Sequence, residues 1–143
     1  MFKRVLVPLD GSATAETILP FIERIAGPLD MEIDLLRVVT LDADETPGAR
    51  HAGPAGPYQR LQREAEDYLQ SIVDKLEPKG IRASAHVRIG LPTREIVAAA
   101  RDLKADLIAM TTHGRTGLRR LLFGSVATEV LRDAPTPLFL YKA

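Results

Sequence analysis

The strongest constraint in this 143-residue sequence is its alternation of two patterns: short, nearly continuous apolar runs, and longer segments whose apolar residues recur every three or four positions. The first pattern suits strands covered on both faces, and the second suits helices that bury one stripe. Val5-Leu6-Val7 with Leu9 reads as a first strand, ended by the turn residues Asp10-Gly11-Ser12. A helix follows from Ala13, with Ile18, Phe21, Ile22 and Ile25 on its buried face. Ser12 is placed to cap it, Glu16 lies in its first turn, and Gly27-Pro28 stops it. Ile33 to Val39 is the second strand.

Residues 40–57 carry Pro47, Gly48, Gly53, Pro54, Gly56 and Pro57 without periodicity, and they predict one long mobile loop. A loop of this length inside a domain is either a functional lid or simple disorder. Leu61, Ala65, Tyr68, Leu69, Ile72, Val73 and Leu76 then mark the longest helix, ended by Glu77-Pro78-Lys79-Gly80. From Arg82 to Ile89 the chain alternates strictly, with alanine, valine and isoleucine on one side and Arg82, Ser84, His86 and Arg88 on the other. One wet face places this third strand near a sheet edge. Pro92 opens a third helix with Ile96, Val97, Ala100 and Leu103 inside, and Ala105 to Met110 is the fourth strand. Val126, Val130 and Leu131 continue a fourth helix to Asp133, and Thr136 to Tyr141 closes the chain as strand five.

Strands alternating with helices predict an α/β fold: a single domain over residues 1–143, doubly wound, with a five-stranded parallel sheet in the order 3-2-1-4-5 and helices on both faces. Ligands of such sheets bind beyond the strand C-termini where the winding reverses, here between Asp10 and Thr111.

Composition narrows the function classes. Nineteen basic and nineteen acidic residues give zero formal charge, so no global field draws the chain to nucleic acid or anionic lipid, and an anion site must be local. Without cysteine there is no disulfide, thiolate metal site or thiol nucleophile, which fits a reducing cytoplasm. Pro8 and Asp10 interrupt the N-terminal apolar run too early for a membrane span or a signal peptide.

The segment Met110-Thr111-Thr112-His113-Gly114-Arg115-Thr116-Gly117 through Gly124-Ser125 is basic and punctuated by glycine, between a strand and a helix. It reads as a phosphate cradle, because glycines admit an anion close to backbone N–H groups and a helix N-terminus adds favourable charge. The plain alternative is a β-to-α connection whose glycines only make turns. Asp10 either meets a ligand or braces its own turn, and Ser125 either meets phosphate, caps its helix, or does both. Arg115, nearest the glycines, is the best placed arginine, whereas Arg119 and Arg120 equally suit a solvated helix face. His51 and His86 read as surface residues with no partner at metal-ligand spacing, and His113 either contacts phosphate or braces the loop. The sequence lacks a Walker-type lysine loop, a dinucleotide fingerprint and a serine nucleophile elbow. No residue set pairs a nucleophile with its base, so the expected catalytic and metal sets are empty.

The run from Thr112 to Ala127 closely resembles the signature of the universal stress protein family. Val5-Leu6-Val7-Pro8-Leu9-Asp10-Gly11-Ser12, Leu35 to Val39, Gly90-Leu91-Pro92 and Ala134-Pro135-Thr136-Pro137-Leu138 extend the resemblance over essentially the whole chain. The resemblance implies the five-stranded α/β fold, a stress-response role without enzymatic turnover beyond slow ATP hydrolysis, and a homodimer formed through the C-terminal strand. One branch of the family binds ATP or related adenine nucleotides, marked by Gly, two residues, Gly, nine residues, then Gly with Ser or Thr. Gly114, Gly124 and Ser125 match the later positions, with Thr111 in place of the first glycine. By the same resemblance Asp10 and Val39 lie around the adenine, Gly114 near ribose and phosphates, and Gly124 with Ser125 on the phosphates, with ATP, AMP or ADP as ligand and Mg accompanying ATP; Arg115, close to the glycines, is placed to neutralise phosphate charge. Thr111 is costly at positive φ and keeps a ligand farther from the backbone than glycine would. A need for positive φ there weakens binding, whereas a need for close approach alone lets the Thr111 hydroxyl substitute. The alternative implied is a nucleotide-independent stress protein acting through dimerisation and protein partners.

Overall fold

The computed structural model describes residues 2–40, 56–112 and 125–142. Strand β1 (Arg4–Pro8) is followed by α1 (Ala13–Glu16), α2 (Leu19–Ala26), β2 (Glu32–Val39), α3 (Pro57–Leu76), β3 (Ala83–Ile89), α4 (Pro92–Asp102), β4 (Leu107–Thr111), α5 (Ser125–Asp133) and β5 (Leu138–Tyr141). The sheet is parallel, in the order β3-β2-β1-β4-β5. The expected doubly wound order is therefore the observed one, with β3 at an edge.

Several boundaries differ from the sequence reading. The first helical segment is two helices, because Pro20 has no N–H to continue the ladder and restricts Leu19 before it, so α2 starts afresh there. Pro57, read as the end of the long loop, opens α3, as a proline at a first helical turn can. The rest of that loop, 41–55, lies outside the described residues, as do Gly114, Arg115 and Gly124. Strand β4 extends one residue further than expected and includes Thr111, which pairs in register with Tyr141.

Paired residues of parallel strands point to the same side, so the register sorts the sheet into two faces. One face carries Val5, Val7, Leu35, Val87, Ala109 and Phe139 against α1, α2 and α3. The other carries Leu6, Leu36, Ile108 and Met110 against Ile96, Ala99 and Ala100 of α4 and Ala127 and Val130 of α5. Burial of these two layers is the main source of stability.

A polar cluster interrupts the second face. Asp34, mid-strand and fully buried, accepts two hydrogen bonds from Arg4, through Nε and Nη2, both at 3.0 Å. A third comes from His86 Nε2 on the neighbouring strand, at 3.0 Å. His86 is thus not the plain surface residue that alternation suggests: cross-strand register delivers it to a buried carboxylate. Burial pushes the Asp34 carboxyl up, but the hydrogen bonds from His86 and Arg4 outweigh it and hold the group below the ordinary carboxylate value. Arg88 on the same side of β3 bonds Asp102 of α4 at 2.6 Å, so the wet face of this strand is pinned by side-chain pairs.

Candidate functional site

The site is built on strand ends. Two residues after β1, Asp10 Oδ1 accepts from the backbone N–H of Ser12 at 2.9 Å and from its hydroxyl at 2.5 Å. Ser12 Oγ in turn accepts from the N–H of Ala15 at 3.1 Å and caps α1, as its sequence position predicts. The turn between them needs Gly11, whose φ is +85°. Asp10 therefore does brace its own turn, as a half-buried carboxylate at the C-terminal end of the sheet.

On the other side of the winding reversal, Thr111 ends β4, is 6% exposed and has ordinary extended backbone. Thr112, 2% exposed, donates its N–H to the Tyr141 carbonyl at 2.9 Å, which extends the β4–β5 ladder past the strand. Val39 closes β2, is buried, and accepts a hydrogen bond from Gly90 N–H at 3.0 Å, so the β3–α4 turn lies directly beside it. Ser125 is the first residue of α5 and is exposed. The structure thus brings Asp10, Val39 and Thr111 to the C-terminal ends of three adjacent strands, while Gly114, Arg115 and Gly124 fall outside the described residues.

Strand pattern alone did not single out the polar residues behind the Asp10 turn. Arg37 of β2 reaches Gly11, and Tyr68 of α3 carries a buried hydroxyl. Burial pushes the Tyr68 phenol well above its ordinary value, the carboxylates of Glu16 and Asp10 push it further, and Arg37 acts in the opposite sense. The available signal was a charge inside the apolar run Leu35-Leu36-Arg37-Val38-Val39. Among the described residues no group of three histidine or acidic side chains is placed to hold a metal ion, and no helix is long and apolar enough to cross a membrane.

The described strand ends carry a carboxylate at Asp10, buried hydroxyls at Thr111 and Thr112, and a buried apolar side chain at Val39.

The model of the Universal stress protein family matches residues 1–142. Universal stress protein MJ0531 of Methanocaldococcus jannaschii is 32% identical over 143 residues, covering 99% of this chain and 83% of the relative. Universal stress protein MJ0577 of the same organism is 30% identical over 159 residues, covering 99% and 96%. The solved structure of MJ0577 superposes with a TM-score of 0.87 at 29% identity, over 100% of this chain and 97% of that one. A universal stress protein from Archaeoglobus fulgidus, solved in complex with dAMP, shares the fold with a TM-score of 0.68 at 19% identity, over 99% and 98% of the two chains. With the family match spanning nearly every residue and the five-stranded order in place, this chain belongs to the universal stress protein family.

Proposed function

We propose that this protein binds an adenine nucleotide, with ATP favoured and ADP or AMP as alternatives, and acts in the stress response through its bound state rather than through turnover. The observation that carries the reading is the meeting of Asp10 and Thr111 at the ends of adjacent strands β1 and β4, where the sheet reverses its winding. The donor set fits the ligand. Asp10 supplies an acceptor for adenine or ribose donors, Val39 an apolar wall for the base, and Ser125 opens a nine-residue helix whose N-terminal N–H groups suit phosphate. Gly114 and Gly124 hold the second and third glycine positions of the motif in sequence, with Arg115 opening the spacer between them. The dAMP complex of the Archaeoglobus fulgidus relative is consistent with this ligand class. When Mg accompanies ATP, the phosphates are its principal ligands. The proposed setting is the cytoplasm.

A second reading rests on strand β5. Leu138, Phe139, Leu140 and Tyr141 form an apolar edge strand that is only partly covered. Such an edge invites pairing with another strand, and we assign it to a homodimer. A protein working through this dimer and its partners alone would need no nucleotide.

Native mass spectrometry of the purified protein, followed by calorimetric titration with ATP, tests both readings. The expected result is a dimer mass carrying a co-purified adenine nucleotide, or a dimer that binds added ATP and unfolds at higher temperature with it. Neither heat nor a shift in unfolding temperature at saturating ATP would exclude the first reading and leave the second.

A further inference from the structure

Among the described strand residues on the face packed against α1, α2 and α3, Arg37 alone is charged. Its neighbours there are Leu35 and Val39 on its own strand and Val87 on β3. A guanidinium on this largely apolar face departs from the pattern of its neighbours, so its position is informative.

Register fixes its height in the sheet. Pro8 pairs with Leu36, and Leu9 N–H donates to the Leu36 carbonyl at 2.8 Å, so Arg37 stands level with Leu9, one residue before Asp10. The guanidinium runs under the β1–α1 turn: its Nη2 lies 3.9 Å, and its Cζ 4.0 Å, from where a Cβ on Gly11 would sit. Gly11 follows Asp10 directly, so the Arg37 charge stands about one residue from the Asp10 carboxylate, and the two act in opposite senses on the buried Tyr68 phenol. A carboxylate beside a crevice repels a polyanion, and a cation behind the turn reduces that repulsion.

We infer that Arg37 is a specificity-determining residue of this crevice: from beneath the β1–α1 turn its charge offsets the carboxylate of Asp10, favouring adenosine phosphates over uncharged adenosine. The inference rests on the nucleotide reading above and adds to it the residue that reads ligand charge. Arg37 acts through the turn and the local field.

The test is calorimetric titration of the full chain and its Arg37→Met and Arg37→Lys variants with adenosine, AMP and ATP. Methionine keeps the unbranched stem among Leu35, Val39 and Val87, so the fold is retained; Arg37→Gln replaces it should the methionine variant fail to fold. The expected loss in Arg37→Met grows with ligand charge, reaching about tenfold for ATP and staying within about twofold for adenosine. Arg37→Lys preserves the ATP affinity, and the loss shrinks in about 1 M salt, where the Debye length is about 3 Å. An equal loss for all three ligands means that Arg37 only braces the turn, and it overturns the inference, as does no loss at all. Wild-type protein that binds none of the three overturns the nucleotide reading and this inference with it. Wild-type binding with a charge-independent effect of Arg37→Met overturns the inference alone.

Discussion

Asp34 Oδ1 accepts a hydrogen bond from His86 Nε2 at 3.0 Å across the β2–β3 pair, while Arg4 holds both carboxylate oxygens from β1. Three neighbouring strands are thereby tied through one fully buried carboxylate. The accepting carboxylate requires a proton on His86 Nε2, which sets the ring's orientation.

Removing this carboxylate leaves Arg4 and His86 without their shared acceptor. Asp34→Ala is expected to destabilise the fold by about 2–3 kcal/mol, less than for a fully desolvated pair because the Arg4 and His86 side chains are 34% and 29% exposed. Urea unfolding should show a lower midpoint with an unchanged slope.

The same cluster gives stability an acid limit. The Asp34 carboxyl is held below its ordinary value by His86 and Arg4 against the upward push of burial, and Asp106 is held low by the backbone N–H groups of Lys3 and Arg4. A carboxyl depressed in the folded state contributes stability that is full above the unfolded value of about 4 and is lost as pH falls through the folded value. Unfolding free energy should therefore be flat near neutrality and drop below about pH 4–5, with a shallower drop in Asp34→Asn. A profile identical in the two proteins would remove Asp34 from the account.

Gly90, beside Val39, has φ of +153°, and a Cβ there would lie 2.8 Å from Glu95 Oε1 and 3.0 Å from its Cγ. Gly90→Ala is expected to cost about 1–3 kcal/mol, part conformational and part steric. The steric part is relieved when Glu95→Ala is added, so a double-mutant cycle by chemical unfolding should give a favourable coupling. Strict additivity would mean that the cost is conformational alone.

Thr111→Gly separates strand stability from ligand binding. Because Thr111 is a buried, extended residue of β4, glycine should cost about 1–2 kcal/mol in thermal or urea unfolding. On the nucleotide reading, parent and variant both bind ATP in calorimetry. ATP binding that appears only in the variant would favour the nucleotide-independent protein.

Much of the architecture is legible in the chain because it depends on local periodicity. The Val5-Leu6-Val7 run, the Leu61 to Leu76 stripe and the Arg82 to Ile89 alternation each lead to the element observed. The α1/α2 break is less legible, since Pro20 sits inside an intact apolar stripe and the periodic signal masks the lost N–H. At the candidate site, Asp10, Thr111 and Ser125 could be picked out from turn chemistry and motif spacing, and Val39 only through the family resemblance. Arg37 and Tyr68 could not, because their meeting depends on β2 and α3 packing against the β1–α1 turn.

By itself the sequence determined the element order, the parallel α/β class, the family motif and the turn at Asp10-Gly11-Ser12, since each follows from residues close together along the chain. Tertiary structure alone decided that Thr111 lies buried in extended backbone, that His86 meets a buried carboxylate, and that Arg37 stands under Gly11. Those facts depend on register between strands distant in sequence, and pairing across a sheet sets which side chains share a face.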